Sequence, residues 1–222
     1  MEFTEQLICE MKSYVKERIF NTYAQSPELT EWQSLGYIGQ PDYRWRHTLQ
    51  VAEFARVIAE DMKANGPVLE AASIFHDVCR FSSTEENHAE DGARIAIEFL
   101  RGRGFSSEFY HHVAEVIRDH TGRGGIDHIN KASIESKILV EADVLEKLGA
   151  KGVFMHFTIA GNKFQTLDEM LESYDHWVTK RAVHAASFFW TSKGKELLIE
   201  KQRFQEQFLQ QFVQEFSWNE QS

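Results

Sequence analysis

The sequence predicts an all-α fold, a bundle of helices in a single domain. Apolar positions recur three and four residues apart along most of its length, three prolines occur in 222 residues, and no run alternates cleanly enough for a strand. No Pro/Gly/Ser-rich tract marks a linker, so residues 1–222 read as one domain. Helical segments fall at about 2–24, 44–63, 67–78, 88–101, 106–120, 131–148, 150–160, 167–190 and 194–216.

The first segment lacks the charged, apolar and small-residue zones of a signal peptide. In the second, His47 falls in line with Val51, Phe54 and Ile58, which puts an imidazole on the buried stripe. An Asn65-Gly66 turn and Pro67 open the third, whose apolar run LEAASIFHDV ends in the pair His76-Asp77. Asn87 followed by Glu90 predicts an N-cap with a capping-box partner for the fourth, and Gly102 and Gly104 predict its end. There His88 leads Gly92, Ile95 and Phe99 at helical offsets. In the fifth, His120 follows Val113, Val116 and Ile117 on the apolar face, and Thr121-Gly122-Arg123-Gly124-Gly125 ends the helix. Asp143 lies beside Leu139, Val140 and Ala142 in a sixth helix that is apolar over most of its circumference. On the last, Phe204, Phe208, Phe212 and Phe216 recur every four residues, a stripe predicted to pack in the core rather than form a dimer surface, although a homodimer stays open.

The composition is that of an ordinary globular protein, 42% hydrophobic and 26% charged. A net charge of -10 without a Lys/Arg block argues against a nucleic-acid polymer as partner. No stretch approaches the roughly 20 apolar residues of a membrane span. Cys9 and Cys79 form no disulfide framework or zinc motif, so a cytoplasmic location is expected, with Cys79 a small buried residue.

Burying an imidazole or a carboxylate in an apolar interior is costly unless each is hydrogen-bonded, paired or bound to a cation. For one histidine, a hydrogen-bonded core imidazole is the simpler reading. Taken together, His47, His76, Asp77, His88, His120 and Asp143 would need several independent buried networks, whereas one metal centre satisfies them jointly. Nitrogen and carboxylate donors suit Mn, Fe, Co, Ni or Zn better than Ca or Mg.

The arrangement H…HD…D, here His47, His76-Asp77 and Asp143, resembles the signature of the HD-domain superfamily of metal-dependent phosphohydrolases. The resemblance runs through WRHTLQVAEFARVIA, ASIFHDVCRF and KILVEADVLEKLGAKG, about residues 43–152. It implies an HD-type helical bundle in which these four residues hold a divalent metal, with Mn or Fe favoured. NHAEDGA around His88 and VIRDHTGRGG around His120 resemble the added histidine motifs of two-metal HD proteins, where the aspartate of the dyad, here Asp77, bridges the ions and is central to catalysis. The C-terminal helices, about 165–216, resemble those of bacterial members that include nucleotide pyrophosphohydrolases, which often use one metal. The resemblance therefore implies one or two ions.

The implied reaction is attack of a metal-bound hydroxide on phosphorus in a small phosphorylated metabolite, with a nucleotide as the leading substrate. Arg80, three residues after Asp77, and Lys180, which aligns with a basic position of those C-terminal helices, are the expected phosphate contacts. TGRGG lacks the Lys-Ser/Thr of a P-loop, and neither GxSxG nor HExxH occurs. Two alternatives stay open: a noncatalytic metal-containing nucleotide-binding or sensory HD module, and a di-iron HD-type oxygenase.

Overall fold

The computed structural model describes residues 2–60, 62–122 and 124–216, without the side chains of 177–185. The described residues form eleven α-helices and one 3-10 turn, with no strand. These are α1 Glu5–Tyr23, α2 Leu29–Ser34, the 3-10 turn Gly36–Gly39, α3 Pro41–Ala59, α4 Gly66–Phe75, α5 His88–Gly102, α6 Ser107–Asp119, α7 Gly125–Lys131, α8 Ile134–Glu146, α9 Ala150–Asn162, α10 Leu167–Ala186 and α11 Ser192–Phe216. None of them is long and apolar enough to cross a membrane.

Local chemistry sets most of the starts. Thr4, Asn65, Ser106 and Ser133 each accept a hydrogen bond from the amide three residues on, at 3.3, 3.3, 3.3 and 3.1 Å, which satisfies a donor that the first helical turn leaves without a partner. Pro41 begins α3, where a missing N–H costs nothing. The α1 helix then buries Leu7, Met11, Val15 and Ile19, one residue per turn, against α3 and α4. The centre of the bundle is α3, α4, α6 and α8, packed on one another, with α5 laid on α6. Phe75 at the end of α4 fills the middle, its ring 6.1 Å from Tyr14 and 5.2 Å from Phe99. Burying one such side chain stabilises the fold by roughly 1.5–3 kcal/mol.

The α11 helix is fastened to this core through Glu141 on α8. Its buried carboxylate accepts the amides of Trp190 and Thr191 at 2.5 and 2.7 Å and the Thr191 hydroxyl at 2.5 Å. Only a glycine leaves room for it at position 194, because a Cβ there would lie 2.0 Å from Glu141 Oε2.

Several expectations need correction. The 67–78 segment stops at Phe75, so His76 and Asp77 sit in turns just past a helix end rather than on it. Asn87 does precede α5, but its side chain makes no cap bond, and the Glu90 carboxylate pairs with Arg118 on α6. The 131–148 segment is α8, which starts only after the Ser133 cap, and the short α7 before it was not expected. The α2 helix and the 3-10 turn were not expected. The phenylalanine stripe of α11 packs only at its middle, where Phe208 and Phe212 lie 5.9 and 5.3 Å from Phe157; Phe204 and Phe216 are exposed.

Candidate metal centre

Six side chains from five parts of the chain meet in the core of the bundle. His47 comes from the middle of α3, His76 and Asp77 from the turn after α4, His88 from the start of α5, His120 from the end of α6 and Asp143 from α8. They form two triads, His47–His76–Asp143 and Asp77–His88–His120, in each of which one ligand atom per residue lies within 4.8 Å of the others. Asp77 joins them. Its Oδ2 is 3.3 Å from His47 Nε2 and 3.6 Å from His76 Nε2, and its Oδ1 is 3.6 and 3.8 Å from Nε2 of His88 and His120.

The protonation of the rings follows from what their other nitrogens touch. Nδ1 of His76, His88 and His120 lies 2.8, 2.7 and 2.5 Å from the backbone carbonyls of Ser73, Glu85 and Ile117. A carbonyl only accepts, so each Nδ1 carries the proton and donates it. His47 Nδ1 donates in the same way to the buried carboxylate of Glu146 at 2.7 Å. Burial, with the neighbouring imidazoles adding to it and Asp77 opposing, pushes His76 down to about 3, and burial likewise lowers His88. Neutral rings protonated on Nδ1 present Nε2 as a bare lone pair.

Those lone pairs face one another. His47 Nε2 is 3.2 Å from His76 Nε2 and 3.2 Å from Asp143 Oδ1, which has no hydrogen-bond partner. Acceptors this close, without a proton between them, repel unless a cation stands among them. Donor bonds of about 2.0–2.2 Å to one ion set neighbouring donors about 3–3.5 Å apart, which is the spacing of His47 Nε2 from both of its partners in the first triad. The donor set therefore fits a divalent transition metal, and the second triad, slightly wider, offers the same chemistry.

Positive side chains surround the carboxylates. Burial raises the Asp77 carboxyl, but opposing positive charge, foremost the Arg44 guanidinium with its Nη1 2.5 Å from Asp77 Oδ2, holds it well below the ordinary range. Asp143 is also held low against burial, foremost by Lys147, 2.7 Å from its Oδ2. Lys151 contacts Glu146 and lies 4.6 Å from the centre of the Tyr43 ring. Burial, with Arg44 opposing and Asp143 adding to it, pushes the Tyr43 phenol up to about 12.

Of the two expected phosphate contacts, Arg80 is turned to Glu85 and stacks 4.6 Å over Trp32, while the side chain of Lys180 lies outside the described residues. Sequence reasoning missed Arg44, Glu146, Lys147 and Lys151. Two of them carried a signal: Arg44 stands three residues before His47 and Glu146 three after Asp143, on the same buried faces.

Residues 44–148 match the family model of the HD domain. The chain is 26% identical over 192 residues to the uncharacterized protein YpgQ of Bacillus subtilis (strain 168), a match covering 84% of this chain and 91% of that protein. Among solved structures, an HD-superfamily hydrolase from Bacillus thuringiensis superposes with a TM-score of 0.71 at 22% identity, covering 96% of this chain and 98% of that one. Bacillus subtilis YpgQ in complex with ADP superposes with a TM-score of 0.60 at 24% identity, covering 77% and 88%.

Proposed function

From the HD-domain match through residues 44–148 we propose that the chain is an HD-superfamily, metal-dependent phosphohydrolase acting on a small phosphorylated metabolite, with a nucleotide as the leading substrate. The observation that carries this reading is the convergence of four Nε2 lone pairs on Asp77, with every Nδ1 proton already committed elsewhere. His47, His76, Asp77 and Asp143 would hold one ion, and Asp77, His88 and His120 a second, with Mn or Fe favoured.

A divalent ion bound there supplies two things: it lowers the pKa of coordinated water toward neutrality and it polarises a phosphoryl oxygen. The chain's own residues supply the rest. Asp77 is the catalytic bridge between the triads, and Arg44 balances its charge in a buried setting. The cations around Asp143 offer local attraction for phosphate on a protein whose net charge of -10 repels it at long range. Arg80 and Lys180 belong to this reading as further phosphate contacts, Arg80 by exchanging Glu85 for phosphate. ADP in the YpgQ complex supports a nucleotide over other phosphate esters. The same reading treats the chain as one cytoplasmic domain.

The test is phosphate or pyrophosphate release from nucleotides and phosphate monoesters by purified protein, with Mn, Fe, Co, Ni, Mg and Zn added separately. Release that depends on a transition metal and disappears in Asp77→Asn supports the proposal. Binding of nucleotide without release under any metal would replace it with a noncatalytic binding module.

A further inference from the structure

An exposed aromatic patch adjoins the candidate metal centre and plays no part in it. Tyr37, in the 3-10 turn, and Phe154, on α9, are 41% and 49% exposed, and their rings meet edge to face at 6.3 Å. Tyr37 also stands 5.8 Å from Tyr43 at 83°. Tyr43 is buried one helical turn before His47 on α3, which sets the patch beside the helix that carries that imidazole.

The patch is tied to the fold at two points. The Tyr37 hydroxyl donates to Asp42 Oδ2 at 2.7 Å, and the buried Tyr43 hydroxyl meets Met155 Sδ at 2.9 Å, next in the chain to Phe154. Two lysines lie nearer the carboxylates: Lys147 on Asp143, its side chain 33% exposed, and Lys151 over the Tyr43 ring, 22% exposed, whose amine burial lowers to about 7. Half-exposed rings are stacking surfaces for any planar base, whereas ammonium groups suit phosphate oxygens. The contacts run from the exposed rings through Tyr43 to Lys151 and on to Glu146, while Lys147 sits on Asp143, and base, phosphate chain and reacting phosphorus follow one another in the same way in a nucleotide.

We propose that Tyr37 and Phe154 form a nucleobase-stacking subsite of the same site, with Lys151 and Lys147 receiving the phosphates that lead from it to Asp77 and Asp143. The inference rests on the phosphohydrolase reading and adds the place of the base.

Calorimetric titration of the Mn-loaded protein with ADP and with inorganic pyrophosphate separates base from phosphate. Tyr37→Ala and Phe154→Ala should each weaken ADP binding about five-fold or more, the loss expected when a base loses a stacking ring, with pyrophosphate binding unchanged. Tyr37→Phe keeps the ring and should keep most of the ADP affinity. Lys147→Ala should weaken both ligands. Unchanged ADP affinity in both alanine variants, equal weakening of ADP and pyrophosphate in them, or wild-type protein that binds pyrophosphate but not ADP would each overturn the subsite. Wild-type protein that binds neither would overturn the phosphohydrolase reading itself, so the two failures are told apart.

Discussion

His47 differs from the other three imidazoles in what orients it. Its Nδ1 proton goes to Glu146, a side chain 99 residues away, which is itself fully buried. Glu146→Ala leaves all six proposed ligands in place but removes that acceptor, so the ring is free to turn or change tautomer. Mn affinity is expected to fall about ten- to a hundred-fold, as measured by titration against a chelator of known strength. For the second triad the expected readout is stoichiometry. His88→Ala and His120→Ala should each lower bound metal from about two per chain toward one by elemental analysis, with the protein still folded; unaltered stoichiometry with lower stability would instead mark both as hydrogen-bonded core histidines. The cysteines divide just as clearly. Burial pushes the Cys79 thiol up and shields it, whereas Cys9 is exposed, so a thiol reagent at pH 8 should label one cysteine in the native protein and both after unfolding.

At the level of elements, the junction between α8 and α11 tests how the C-terminal helix is held. Gly194→Ala sets a methyl group against the Glu141 carboxylate and the Thr191 hydroxyl, both already hydrogen-bonded to each other. The expected loss is roughly 1–3 kcal/mol in urea unfolding, with metal content unchanged, because the clash lies outside both triads. This junction was not legible in the sequence: Glu141 looks like a solvated residue among apolar neighbours, and its two partners, Trp190 and Thr191, lie about fifty positions away. Helix starts were legible where a cap is local, as at Asn65, and misread where it is not. Asn87 has the right residue type, but Glu90 finds a stronger partner in Arg118. Ser133 was a readable cap signal that sets the start of α8 within a few residues of where the apolar period begins. The α2 helix and the turn after it are too short for periodicity to register.

For the molecule as a whole, the all-α class and the inward aim of His47, His88, His120 and Asp143 followed from the 3.6-residue period, which fixes the face a side chain occupies. What that period cannot supply is the rotation of one helix against another, and for that reason the cations on the rim and the partner of His47 were missed. The same packing predicts how the fold answers to metal removal. An ion that binds the folded chain alone adds about 2.7 kcal/mol at a hundred-fold excess over its Kd, so Mn should raise the melting temperature and a chelator should reverse the shift. Asp77→Asn, with fewer charges to hold an ion, should melt at the same temperature with and without Mn.

Three of the four imidazoles, His76, His88 and His120, are each tied to the carbonyl three residues behind them. Such a tie needs nothing beyond a single turn of chain, so these rings can point their lone pairs correctly before distant segments have met. The first triad is different in kind, since it joins α3 to α8 across most of the matched domain, and an ion seated there would act as a clasp between the domain's two ends. Metal supply during synthesis would then bear on when that loop closes, and not only on whether the finished protein reacts.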